Sequence, residues 1–141
     1  MTEDSSVKSD DRIYKALILN DYNDANYATW VYQRLKDVET RYRRTSHRGD
    51  LIICKGKTNS VGVNKGMALC MVNLFDCRPM TMGDESAARI HYDPKLFAWP
   101  LKDWRYFNRL FEFRHCKVGG TWQGLFDLKL PSDITISNIN L

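Results

Sequence analysis

The chain has 141 residues, enough for one domain with a substantial core and too few for two independent ones. With 43% apolar residues, 12% aromatics and a net charge of +4, the composition is that of a folded globule and excludes a largely disordered polymer. No run approaches the roughly 18 apolar residues of a membrane span, and no basic start followed by an apolar stretch marks a secretory signal.

The four cysteines, Cys54, Cys70, Cys77 and Cys116, lie in or beside apolar runs and form no close CxxC pair. Buried thiols in a reducing cytoplasm are therefore expected, not disulfides. His47, His91 and His115 are scattered, without the His/Cys spacing of a zinc site, so neither a metal nor a cofactor is expected.

In chain order, residues 1–12 (MTEDSSVKSDDR) are expected to be a disordered tail. Residues 12–19 (RIYKALIL) predict a first strand with a buried apolar end. Turn-like residues follow, in which Asn23 or Asp24 would cap a helix over 25–35. Tyr27, Trp30, Val31 and Leu35 recur at spacings of three and four and mark its buried side. In the next strand, 38–43 (VETRYR), Val38, Thr40 and Tyr42 share one face and suit burial. Glu39 and Arg41, with Arg43, take the other face, over a groove or solvent.

Residues 44–49 predict a loop and 51–54 a short strand covered on both faces. The loop 56–66 (GKTNSVGVNKG) lacks the GxxxxGK[ST] pattern, which excludes a P-loop nucleotide triphosphatase. The clearest strand is 67–75 (MALCMVNLF), interrupted by Asn73, whose amide must find a hydrogen-bond partner in neighbouring backbone or in a cavity. Thr81 and Asp84 fit a capping arrangement for a short helix through Ala88. A brief extended piece at 97–99 is expected to stop at Pro100, with further strands at 104–113 and 124–130 and a tail at 131–141.

The chemistry concentrates between Trp30 and Lys57. Eight basic residues there (Arg34, Lys36, Arg41, Arg43, Arg44, Arg48, Lys55, Lys57) face three acidic ones, a local excess of +5 against +4 for the whole chain. Such an excess suits an anionic partner, although charge runs are also ordinary solvated surface.

The combination Lys36-x-x-Glu39-x-Arg41, followed by Arg48-Gly49 and Leu51-Ile52-Ile53, resembles the ASCH domain family of the PUA-like superfamily. Asn26-Tyr27-Ala28, the run from Ala68 to Cys77 with Pro79, Phe97-Ala98-Trp99, and Lys117 to Gly120 with Gln123 to Phe126 extend the resemblance over about 27–128. It implies an α+β fold over 13–130: a small PUA-like β-barrel of about six strands with two or three short flanking helices and a cleft beside the first helix. It also implies a bacterial or phage protein that binds RNA or a nucleotide, with Lys36, Arg41, Arg48, Lys55 and Lys57 on phosphate and Trp99 or Tyr92 stacked on a base. Glu39 would accept a hydrogen bond from a donor on the base edge or hold Arg41 in place. Some small members resemble amidohydrolases of N4-acetylcytidine that use a lysine, a threonine three residues later and a glutamate on the long strand. Here those positions are Lys36, Glu39 and Asn73, two departures that weaken the enzymatic expectation. Ribonuclease chemistry, a basic surface for an acidic protein, and a plain Glu39–Arg41 salt bridge are the other expectations.

Overall fold

The computed structural model describes residues 12–114 and 124–137. The expected tail at 1–12, apart from Arg12, and the expected loop at 117–123 lie outside the described residues, as do Cys116 and His115.

The fold is α+β, built on one mixed sheet of seven strands. Strand β1 (Ile13–Leu19) runs parallel to β5 (Gly49–Lys55) and antiparallel to β9 (Phe126–Lys129). From β5 the sheet continues antiparallel through β6 (Met67–Leu74) to β8 (Phe97–Glu112). β8 also pairs with β4 (Val38–Arg41) and, on its other side, with β7 (Arg78–Pro79). A hairpin of two-residue strands, β2 (Asp21–Tyr22) and β3 (Ala25–Asn26), leads into helix α1 (Tyr27–Tyr32). A 3-10 turn at Met82–Asp84 leads into α2 (Glu85–Ala88).

The expected barrel does not form. The strand order is β4-β8-β6-β5-β1-β9, and among the described residues β4 and β9 are open ends of the sheet, with no ladder joining them. The reason lies in the chain around β1 and β4. After Leu19 the backbone leaves the sheet for the β2–β3 hairpin, while β4 pairs for four residues only. Ile18 to Asn20 and Thr40 with Arg41 thus face each other across a recess instead of across hydrogen bonds.

Pro100 does not end its strand, as expected, but sits inside the 16-residue β8. Leu101 N–H donates to Asp37 C=O at 2.9 Å, so by antiparallel alternation Glu39/Trp99 and Arg41/Phe97 exchange hydrogen bonds while Val38/Pro100 and Thr40/Ala98 do not. Proline, which has no N–H, occupies a position that needs none toward β4. Asp103, at φ 56°, and the register shifts between β6 and β8 bend the long strand further along.

Alternation along β1 and β5 divides the core. Leu17, Leu19, Leu51 and Ile53 pack with Ala28 and Val31 of α1, Trp99 and Trp104 on one face. Ala16, Ile52 and Cys54 pack with Met71, Phe107, Phe111 and Ile134 on the other. The unalternating 51–54 run is buried on both faces for this reason, each large apolar side chain contributing about 1.5–3 kcal/mol. The thiols of Cys54 and Cys70 are buried, and burial pushes both up.

Helix α1 is shorter than its apolar spacing predicts. Arg34 adopts φ 65°, and Arg34 N–H donates to Val31 C=O and Leu35 N–H to Trp30 C=O, a Schellman ending that leaves Leu35 half exposed. Its first turn is capped by neither Asn23 nor Asp24. The Asp21 carboxylate takes the Thr29 N–H at 3.0 Å and the Thr29 hydroxyl as well. No described helix is long and apolar enough to cross a membrane.

The Thr81–Asp84 capping box is present, and Arg78 adds two contacts of 2.8 Å to the same carboxylate. Those Arg78 bonds, with the Thr81 bonds, outweigh burial and hold the Asp84 carboxyl well below its ordinary value. Asp84→Ala is expected to lower unfolding stability by about 1–3 kcal/mol. A folded-state value below the unfolded 3.8 stabilises the fold above that pH and loses the effect as pH falls beneath it. The gap between wild type and variant, read by urea unfolding, therefore narrows in acid.

Candidate functional site

The Schellman turn sets Lys36 where α1 passes into β4. Lys36 N–H joins Leu35 on the Trp30 carbonyl, at 3.1 Å, and Asp37 N–H donates to Ala87 C=O. The Lys36 side chain then runs inward and is 1% exposed. Its ammonium donates to the Ala88 carbonyl, lies 3.7 Å from Glu39 Oε1, and sits 5.3 Å from the centre of the Tyr27 ring. Burial pushes the Lys36 ammonium down further than Glu39 holds it up, so its pKa is lowered.

Glu39, 5% exposed, joins two cations. Its Oε2 is 3.4 Å from Arg41 Nη1, and the Arg41 guanidinium lies 5.9 Å from the centre of the Trp99 ring. The Trp99 indole N–H donates to the Arg43 carbonyl at 3.1 Å. The strand alternation holds in that Glu39 and Arg41 share a face and Val38 packs with Met80, Ala88 and Leu96 on the other. It fails in degree, because Glu39 is buried and Tyr42 is 65% exposed.

Above this network the open side of the sheet forms two adjoining recesses. The smaller, 210 Å³, reaches Tyr27, Lys36 and Glu39. The larger, 760 Å³, is lined by Arg41, Arg43, Arg44 and Lys57 together with Tyr22, Tyr42 and Trp99. Ile18, Asn20, Tyr22, Thr40, Arg41 and Ile90 line both, so the two form one continuous cleft. Gly56 lets its walls approach: a Cβ there would lie 2.0 Å from Asn20 Oδ1, which is buried against it without a hydrogen-bond partner.

Of the residues singled out in the sequence, Lys36, Glu39, Arg41, Lys57 and Trp99 line this cleft. Lys55 does not. It is buried, 2.9 Å from Asp21 Oδ2, and donates to the Val63 carbonyl at 2.7 Å. Burial raises the Asp21 carboxyl, but the Thr29 bonds and Lys55 outweigh it and leave it lowered. Arg48 donates to the Thr45 and His47 carbonyls and shapes its own loop. Asn73 stands in register between Asp50 and Lys102, and Tyr92 gives its N–H to Glu85; neither lines the cleft. Lys36, Glu39 and Asn73 therefore do not meet in one recess.

Sequence reasoning passed over Arg43, Arg44, Tyr22 and Tyr42 as site residues. Arg43 had a signal, since period two puts it on the face of Glu39 and Arg41. Tyr22 had none, because its place depends on the β2–β3 hairpin.

The fold and the cleft define an α+β domain whose open sheet carries a recess with cationic and aromatic walls between β4 and the end of β1. The chain belongs to the ASCH domain family, whose model matches residues 24–113. That span runs from the turn before β3 to the end of β8 and leaves out β1, β2, β9 and the cleft residues Ile18, Asn20 and Tyr22. No curated protein matches the chain.

Lys55→Met keeps the aliphatic stem but leaves Asp21 as an uncompensated buried charge. A stability loss of about 3–5 kcal/mol in urea unfolding is expected.

Proposed function

We propose that the protein binds a nucleotide or a short single strand of RNA in the cleft between β4 and the end of β1. The observation that carries this reading is one recess holding Arg41, Arg43, Arg44 and Lys57 beside two exposed tyrosines, Tyr22 and Tyr42. Its volume of 760 Å³ falls within the roughly 300–1,000 Å³ of sites that bury small ligands. Phosphates meet the cations, and the tyrosine rings offer stacking at about 1–3 kcal/mol per base. Trp99 is 3% exposed under the Arg41 guanidinium, so it stiffens the wall and leaves stacking to Tyr22 and Tyr42. The general association of the ASCH family with RNA or nucleotides supports the same reading, and the buried free thiols of Cys54 and Cys70 suit a reducing cytoplasm.

Amidohydrolysis of N4-acetylcytidine is a second reading, supported by Lys36 and Glu39 meeting at the cleft floor. Against it, Glu39 lies between two cations, and Asn73, which cannot abstract a proton, lines neither recess. Release of cytidine by purified protein would favour it; no release leaves the binding reading alone. The same geometry weighs against a ribonuclease built on Lys36, Glu39 and Arg41.

Replacing Arg43, Arg44 and Lys57 together by alanine is expected to weaken single-stranded RNA binding and to flatten its salt dependence. For three phosphate contacts the slope of log affinity against log salt changes by about 2, at roughly 0.7 per contact. Fluorescence anisotropy across a salt series checks this, and an unchanged slope rejects the phosphate assignment. Saturable binding of an acidic protein that RNA does not displace would assign the basic surface to that partner instead.

A further inference from the structure

Among the described residues, β4 has hydrogen-bonded neighbours on one side only. The alternation fixed by Leu101 N–H on Asp37 C=O turns the main-chain N–H and C=O of Val38 and Thr40 away from β8. At Val38 this free edge is covered: the residue is buried, and the neighbouring Asp37 N–H is taken by Ala87 of α2. At Thr40 the edge opens into the cleft, since Thr40 lines both recesses. No backbone partner of Thr40 beyond the β4–β8 pairing occurs among the described residues. A donor and an acceptor therefore stand side by side in a ligand-sized recess, beside Arg41 and across from Asn20 and Tyr22.

We propose that the Thr40 main chain pairs with the donor–acceptor edge of a nucleobase seated in the cleft. This deepens the nucleotide-binding reading and rests on it. Each of the four bases carries an adjacent donor and acceptor on its Watson–Crick edge, and in a duplex that edge is already occupied. The ligand class is thus an unpaired nucleotide, alone or in a single strand, and neither a duplex nor a bare polyphosphate. A peptide adding as a strand would need several such pairs in a row, whereas this edge offers Thr40 alone. Because the contacts are main-chain, the side chain of Thr40 is not part of the recognition, and its identity does not reveal the site.

The test uses a labelled oligouridylate and its counterpart built from N3-methyluridine, in which the base donor is lost at unchanged phosphate charge. Wild-type protein is expected to bind the methylated strand at least about tenfold more weakly. Thr40→Pro, which replaces the outward N–H of an edge residue by a ring carbon and takes no bond from the β4–β8 ladder, is expected to produce a similar loss with uridine. Thermal melting establishes that the proline variant is folded; if it is not, the methylated strand on wild-type protein decides. Equal affinity for the two strands overturns the base pairing while leaving a phosphate-binding cleft in place. Failure of both strands and of inorganic triphosphate to bind overturns the nucleotide reading itself.

Discussion

The register of β4 against β8 is the constraint on which the rest of the site depends. Val38 stands opposite Pro100, the one residue of that stretch without an N–H, and the pairs Glu39/Trp99 and Arg41/Phe97 follow. A slip of one residue would turn Glu39 and Arg41 to the face of Val38, where Met80, Ala88 and Leu96 leave no place for charge. Apolar packing of Val38 on one face thus fixes which atoms of β4 face the cleft.

The charges at the floor of the cleft support one another. A buried carboxylate between an ammonium and a guanidinium keeps both cations in place, and each is held by a further contact, Lys36 by the Ala88 carbonyl and Arg41 by the Trp99 ring. Such an arrangement is poor at moving protons, because every group already has a partner, and good at holding a wall rigid. The cations left to meet a ligand are those nearer the rim. This division of labour between a buried network and an outer basic layer explains why Lys36 and Glu39 of the motif are not among the proposed phosphate contacts.

Much of this was legible in the sequence. Continuous apolar runs identified β1, β5 and β6, the Thr81–Asp84 pair announced its capping box, and Lys36, Glu39 and Arg41 lie together. The misses arose where tertiary geometry overrides local signals. Apolar spacing carried the first helix to Leu35, but the left-handed turn at Arg34 ends it earlier. Pro100 reads locally as a strand end, and only its pairing partner shows that no donor was needed there. Lys55 and Lys57 look alike in a basic run, yet one is enclosed with Asp21 and the other lines the cleft. The closed barrel implied by resemblance failed because closure is decided by whether two distant edges meet, and no local pattern encodes that.

The unclosed side of the sheet has a mechanical consequence. Its two banks, the end of β1 and β4, are tied to each other through β5, β6 and β8, and among the described residues no strand ladder crosses the gap. Their separation can therefore follow the thickness of whatever enters, through small changes in twist spread over the intervening strands, without rupturing any ladder.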